Sequence, residues 1–431
     1  MRKTIILLIF SIIANKCTAQ VQVNQELKQL VQQSFAYFPK INEAENAIVL
    51  ASEKLTLNQL ANSPQVNGVG NYTFIQPVAK VLFPVNGVEK AFQFQPEHNL
   101  YTNINANYTI ADFGRLKAAL ERAKDDILFA KHNIDQLKHQ LAIQVSSIYY
   151  TICYLQKAIS LQDSIIYVLE ENKKIVTTKL SDGDGLKLDL LNIQANIDNE
   201  SNRKIDLITS LEKQQNLLQY LTGSNVIKGD QFDFDISINP LKDTTQSFID
   251  QQPDFWLIND RIQQIKHDIS ITALQDNPLI NLNAGAGFRN GIQPEIAQFK
   301  FNYLAGVSLV VPIYTGGKTK QQIKVQQTLL KQQELALNSL QHNYKKDIQQ
   351  AYTDITANVS RIVNTNGQIE QAKYAEQLAT FRYKNGVGTN LELMNAVTNV
   401  QRATLTKLQY QFQLCLAKVE LAKLIGEKYW Q

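Results

Sequence analysis

Long apolar runs are what this 431-residue chain most conspicuously lacks. Beyond its N-terminus no stretch approaches the 18 or so apolar residues that a helical membrane span requires, so no transmembrane helix is expected. An excess of one charge is also missing. Leaving out Arg2, Lys3 and Lys16 of the N-terminal segment, 40 bases face 39 acids. That balance provides no footprint for a nucleic-acid partner. Cysteine is scarcer still, with three in all. Cys17 lies in the N-terminal segment, and Cys153 and Cys415 fall in different expected helices, so they predict free, buried thiols and no disulfide framework. The five histidines are scattered, with no His-Glu-x-x-His spacing, and neither a metal site nor a cofactor is expected. No nucleophile–base signature is present, and the chain does not read as an enzyme.

Three short motifs have bland explanations. Gly317-Lys318-Thr319 ends like a phosphate loop, but Pro312 stands where that loop needs its first glycine. Asp182-Gly183-Asp184-Gly185 begins like a calcium loop, but Leu186 replaces a ligand; it reads as a tight turn whose glycines supply positive φ. Gly285-Ala286-Gly287 sits inside an alternating strand and supplies small residues on its polar side.

What is present begins with a targeting segment. Arg2 and Lys3 precede an apolar run from Ile5 to Ile13, and Cys17-Thr18-Ala19 offers small residues for cleavage before Gln20. Residues 1–19 are thus expected to be a signal peptide. Lys16 before Cys17 disfavours lipid attachment.

The chain also repeats itself. A shift of 214 residues lays Pro39 on Pro253, Pro64 on Pro278 and Asn67 on Asn281. A shift of 203 lays Ile110 on Ile313, Gly114 on Gly317, Lys117 on Lys320, His139 on His342 and Gly183 on Gly386, and it runs on to Gly223 and Gly426. Paired prolines and glycines in one register indicate a duplication. The 11-residue difference falls between 76 and 109 and is expected as extra loop in the first copy. The expected division is a first repeat over 20–223, a linker over 224–246, a second repeat over 247–426 and a tail over 427–431.

Each copy shares one plan: a helix (24–62, broken at Pro39; 254–275), two strands, one very long helix, a glycine-marked turn and a second long helix. The strands alternate with period two. Leu100, Thr102, Ile104, Ala106, Tyr108 and Ile110 oppose Tyr101, Asn103, Asn105, Asn107 and Thr109. Ile280, Leu282, Ala284, Ala286 and Phe288 oppose Asn281, Asn283, Gly285, Gly287 and Arg289. Phe299, Phe301, Tyr303, Ala305, Val307 and Leu309 share a face, and the first strand, 66–76, alternates less cleanly. Ten-residue strands with one apolar face and one rich in Asn and Gly fit a membrane barrel, although a soluble sandwich also alternates. Phe288, Phe299, Phe301, Tyr303 and Tyr108 are candidates for an interfacial aromatic girdle. The long helix carries a heptad seam from Leu116 through Ile134, Leu141, Val145 and Ile152 to Ile159, Ile166, Leu169 and Leu180, with one stutter. Such a helix is about 100 Å long.

Four such strands cannot close a barrel, and an open sheet in lipid leaves edge amides unsatisfied, so the chain must donate strands to an oligomer. The strand count alone leaves trimer and tetramer open.

Phe381-Arg382-Tyr383-Lys384-Asn385-Gly386-Val387-Gly388-Thr389-Asn390-Leu391-Glu392-Leu393-Met394-Asn395-Ala396 resembles the Tyr-x-x-Gly turn and acidic, Leu-rich helix start of the TolC family of outer-membrane efflux proteins. Pro312-Ile313-Tyr314-Thr315-Gly316-Gly317-Lys318 and Asp112-Phe113-Gly114-Arg115 resemble that family's strand-to-helix turns. The resemblance covers the whole mature chain. It implies an α+β membrane protein whose homotrimer forms a 12-stranded outer-membrane β-barrel continued by a 12-helix periplasmic barrel of long coiled-coil hairpins. It also implies docking to a periplasmic adaptor and an inner-membrane transporter, at tips formed by Lys179, Leu180, Gly183, Gly185 and Leu186 and by Tyr383, Gly386, Val387, Gly388 and Leu391. The family's ring of acids at a closed periplasmic mouth matches Glu392, its second acid is replaced by Asn395, and the first-copy counterparts are Asp189 and Asn192. A helix-start acid complementing the helix dipole is the plainer reading of Glu392. The function expected is passive efflux of small molecules or drugs. Type I protein secretion through the same channel, and a periplasmic coiled coil or adaptor, are the alternatives. An adaptor, however, carries one helical hairpin inside a lipoyl-like domain, and this chain has two equivalent hairpins.

Overall fold

The computed structural model describes residues 20–224, 227, 229, 231–237 and 252–431; the expected signal segment with Cys17, and much of the linker, lie outside them. In chain order the elements are β1 (Gln20–Gln22), α1 (Gln25–Tyr37), α2 (Pro39–Leu60), β2 (Gln65–Phe74), β3 (Lys80–Val85), β4 (Val88–Gln93) and β5 (His98–Ala111). Then come α3 (Arg115–Ser181), α4 (Lys187–Thr222), β6 (Asp235–Ser237), α5 (Pro253–Ala273), β7 (Leu279–Arg289), β8 (Lys300–Val310), α6 (Lys318–Lys384) and α7 (Asn390–Leu424). They form two compact units, each drawn from both repeats. One takes in the chain up to Glu43 with Ile134–Trp256 and Ser339–Gln431, and the other Ala44–Asn133 with Leu257–Asn338.

The second unit holds the sheet. Its order is β2-β5-β7-β8, antiparallel throughout. The four expected strands are all present, and the two repeats meet where β5 pairs with β7. The 11 extra residues correct the expectation of a loop: they contribute to a hairpin, β3 paired with β4, closing on Asn86 (φ 53°) and Gly87 (φ 80°). An Asn-Gly pair with both φ positive is what a two-residue turn needs to match strand twist, and the flanking Val and Phe favour extended backbone.

Cross-strand register sorts the faces. Ile104 pairs with Ala286 and Ala286 with Tyr303, so the apolar residues of β5, β7 and β8 share a side. The opposite side carries Asn67, Asn105, Asn107 and Asn283. A Cβ on Gly287 would meet the Thr102 carbonyl oxygen at 2.0 Å and Asn103 Cα at 2.6 Å, and one on Gly285 would meet Asn103 Nδ2 at 2.6 Å. The glycines make room for the asparagines of β5, and Asn103 is 4% exposed despite its polar side chain.

Two turns convert strand into helix. After β5, Phe113 (φ 51°) and Gly114 (φ 97°) reverse the chain while Asp112 caps α3, accepting from the Gly114 and Leu116 N–H groups. Arg115 then donates to the carbonyls of Leu274 (3.0 Å), Gln275 (2.8 Å) and Asn277, binding the end of α5. After β8, the equivalent Gly316 (φ 64°) and Gly317 (φ 75°) make the same turn. The glycines that mimic a phosphate loop are therefore backbone devices. Within this unit α5 lies along α3 through Arg122–Asp268 (2.9 Å), His132–Asp260 (2.6 Å) and the pair His267–Asp125.

The other unit is helical. Asn24 caps α1, accepting from Glu26 N–H at 2.9 Å, and the chain breaks at Phe38 so that Pro39 can open α2. Helices α3 and α6 each run 67 residues, about 100 Å at ~1.5 Å per residue. The seam of α3 is buried at Ile134, Leu141, Val145, Ile148, Ile152 and Leu155. Further on, Ile165 (3% exposed) replaces the expected Ile166 as the buried residue, because a straight helix drifts against a heptad. A core of Leu27, Val31, Tyr149, Tyr150, Ile152, Leu218, Phe234 and Val419 also holds Cys153 and Cys415, both buried, and the C-terminal Tyr429 and Trp430. Strand β1 pairs antiparallel with β6 of the linker.

Candidate functional site

The tips of the two long hairpins come together in the helical unit. Lys179 and Gly185–Leu186 of the first hairpin, and Tyr383, Gly386, Gly388 and Leu391 of the second, line one cleft of about 660 Å³ with Asp184, Asp189, Lys384, Thr389 and Asn390. Leu180, Gly183 and Val387 are not among its lining residues. Ile165, Leu169, Val176, Ile193, Leu393 and Val397 form an apolar cluster with Tyr383, which it shares with the cleft, and the cluster packs the two hairpins together.

One contact ties them directly. The Lys179 ammonium lies 4.2 Å from the centre of the Tyr383 ring and donates to the Tyr383 backbone carbonyl. Tyr383 is 5% exposed, and burial, helped by the charge of Asp189, raises its phenol above the ordinary range.

The four tip glycines serve two different purposes, which corrects the expectation of positive φ at both Gly183 and Gly185. Gly183 (φ 85°) and Gly386 (φ 74°) adopt left-handed backbone. Gly185 and Gly388 do not; they allow close approach. A Cβ on Gly185 would meet Leu180 N at 2.6 Å, and one on Gly388 would meet Arg382 Cβ at 3.0 Å.

Glu392 is exposed in the first turn of α7 and closes a capping box with Thr389: its N–H donates to Thr389 Oγ1 at 3.2 Å while its carboxylate accepts from the Thr389 N–H. Arg382 approaches it at 3.8 Å. Asn395 and Asn192 are exposed and Asp189 is partly buried; of these four only Asp189 lines the cleft. Sequence reasoning missed the cap, although Thr-x-x-Glu before an apolar run is its signature, and it missed Asn390, which is buried with its Oδ1 unpartnered.

The sheet presents the second functional surface. Phe288 stacks on Phe299 (5.8 Å) and meets Phe301 edge-on (5.5 Å), with Tyr303 next to Phe301, so four girdle candidates cluster at the loop-bearing end. Tyr72 and Phe74 pack on His98 at the same end of β2 and β5. Tyr108 is at the other end, across from Leu282. The apolar face is exposed, Tyr303 to 80%. No helix among the described residues is long and apolar enough to cross a membrane, and none of the described His, Cys, Asp and Glu side chains form a metal-ligand group of three or more.

Known proteins share this fold. The family model described as outer membrane efflux protein matches residues 30–224 and again 246–427. Outer membrane efflux protein BepC of Brucella suis biovar 1 (strain 1330) is 17% identical over 417 residues, covering 95% of this chain and 87% of BepC. Among solved structures, the outer-membrane channel OprN superposes with a TM-score of 0.78 at 17% identity, over 95% of this chain and 91% of its own. The channel CusC superposes with a TM-score of 0.79 at 17% identity, over 94% and 93%. A twofold family match, a fold shared over nearly the full length and an exposed amphipathic sheet lead to one conclusion: the chain belongs to the outer membrane efflux protein family and is an efflux channel of the outer membrane.

Proposed function

We propose that three copies of this chain close into one passive conduit, which carries small molecules or drugs from a periplasmic adaptor and an inner-membrane transporter through the outer membrane, without catalysis. The observation that carries it is the sheet. It has two open edges, β2 and β8, and one predominantly apolar exposed face. Hydrocarbon cannot satisfy edge amides, so the edges must pair with those of other copies. Threefold closure gives 12 strands and 12 long helices, from β2, β5, β7 and β8 and from α3, α4, α6 and α7. The apolar side meets lipid, and the asparagine-rich side lines water. The proposed division into repeats over 20–223 and 247–426, joined by the 224–246 linker, makes each protomer two-sixths of the ring.

In this reading the helical tips form the periplasmic end. Exposed Leu186, Val387 and Leu391 offer the adaptor an apolar surface, and the Lys179–Tyr383 contact holds the two tips of one protomer together in the resting state. Glu392, with Asn395 beside it and Asp189 and Asn192 as first-repeat counterparts, places carboxylates near the mouth, where they attract cations. The test is physical: the protein should fractionate with outer membranes and run as a heat-modifiable trimer in mild detergent. A monodisperse monomer that stays in solution without detergent overturns the reading.

A further inference from the structure

The charges of the sheet are concentrated in one place. β2, β5, β7 and β8 contain no Asp or Glu, and their only Lys or Arg are Arg289, the last residue of β7, and Lys300, the first of β8. The two are direct cross-strand partners, and Tyr101 of β5 pairs with Arg289 on the other side. Alternation puts both cations on the asparagine-bearing face: Arg289 follows Asn281, Asn283, Gly285 and Gly287, and Lys300 precedes Asn302. They stand at the loop-bearing end, opposite the end from which α3 and α6 leave the sheet.

Like charges directly opposite one another weaken an antiparallel pair. Only part of this repulsion is relieved, because Lys300 pairs with Glu295 at 3.0 Å while Arg289, exposed, has no carboxylate partner among the described residues. A solubilising role calls for no such juxtaposition, since the rest of that face is kept soluble by neutral amides. A local rule broken at a rim of an otherwise uncharged surface marks a functional position.

We propose that Arg289 and Lys300 form an anion-attracting belt at the loop-side mouth of the channel, favouring the passage of solutes that carry carboxylate, sulfonate or phosphate groups. The inference rests on the trimeric-channel reading, in which threefold symmetry sets six cations around one mouth. A narrow mouth with low-dielectric walls focuses their field, so a multivalent anion is drawn to the mouth. Glu295 opposes this by neutralising Lys300.

The probe is 1,3,6,8-pyrenetetrasulfonate, added on the loop side of trimers in planar bilayers at low salt. It should block wild-type conductance, and R289Q/K300Q should raise the half-blocking concentration about tenfold and lower the chloride-to-potassium permeability ratio. R289K/K300R should keep the wild-type block, and Glu295→Gln should lower the half-blocking concentration two- to threefold by freeing Lys300. Trimer formation in mild detergent confirms that each variant has assembled. A conducting R289Q/K300Q trimer with unchanged block overturns this inference alone. A wild-type protein that assembles but opens no conductance overturns the channel reading and this inference with it.

Discussion

Lys179, in the last turn of α3, holds Tyr383, in the last turn of α6, through both its ring at 4.2 Å and its backbone carbonyl, across 204 residues of sequence. A partly desolvated cation–π contact contributes about 1–2 kcal/mol. If it keeps the tips closed, K179M should raise the open probability of single trimers in planar bilayers by about tenfold, whereas Y383F, which keeps the ring and the carbonyl, should leave it within about twofold of wild type. Equal gating in K179M and wild type would reduce the contact to local packing.

Glu392 is both a candidate gate charge and a helix cap, and substitution separates the two. Glutamine still serves a capping box, so E392Q should leave thermal stability unchanged while weakening cation preference and divalent-cation block. T389A removes the cap and should lower stability by about 1 kcal/mol without altering selectivity. Reversal potentials in a KCl gradient, with melting curves alongside, check both. Unchanged selectivity in E392Q returns Glu392 to the status of a cap alone.

The asparagine-over-glycine packing of β5 and β7 makes a paired prediction. G287A forces a methyl group against the backbone of Thr102 and Asn103, so trimer yield should fall at least severalfold. G306A, on the neighbouring β8, meets nothing within 4 Å and should assemble normally. Extraction of both variants from outer membranes, with native gels, shows whether room at 287 is what the sheet requires.

Acid should loosen the helical core at His139. Its imidazole is 7% exposed, lies 5.6 Å from the Trp430 ring, and has no partner for Nε2. Burial, with Lys423 and Lys428 nearby and only Asp254 opposing, holds its pKa down to about 4 from the ordinary 6.5. Above pH 6.5 the group is neutral in both folded and unfolded chains and contributes nothing to pH dependence. As pH falls toward 4 the unfolded chain takes up the proton and the folded one does not, so stability drops, by roughly 3 kcal/mol per protomer when complete. Urea midpoints should therefore fall between pH 7.5 and 4.5, with a shallower fall in H139N whatever that variant's midpoint at pH 7.5. An equal fall in both would assign the acid sensitivity to other groups.

The duplication, the four amphipathic strands, the two very long helices and the glycine turns that end them were legible in the order of the residues. Each of these is written in local periods, 2 for strands and near 3.6 for helices, or in residues such as Pro39 and Gly386 whose backbone limits act on the spot. The sequence also located the hairpin turns, because glycine marks them. Relations between residues far apart in the chain were not legible there and arise from packing. Pairing of β5 with β7 puts Asn103 over Gly287 and thereby explains the glycine; pairing of β7 with β8 sets Arg289 beside Lys300 across a loop that no periodicity resolves. Packing of one hairpin on the other brings Lys179 to Tyr383 and buries Ile165 in place of Ile166. Periodicity fixes which side of an element faces inward. Which atom meets which depends on register and helix drift, and those are settled only when the elements pack.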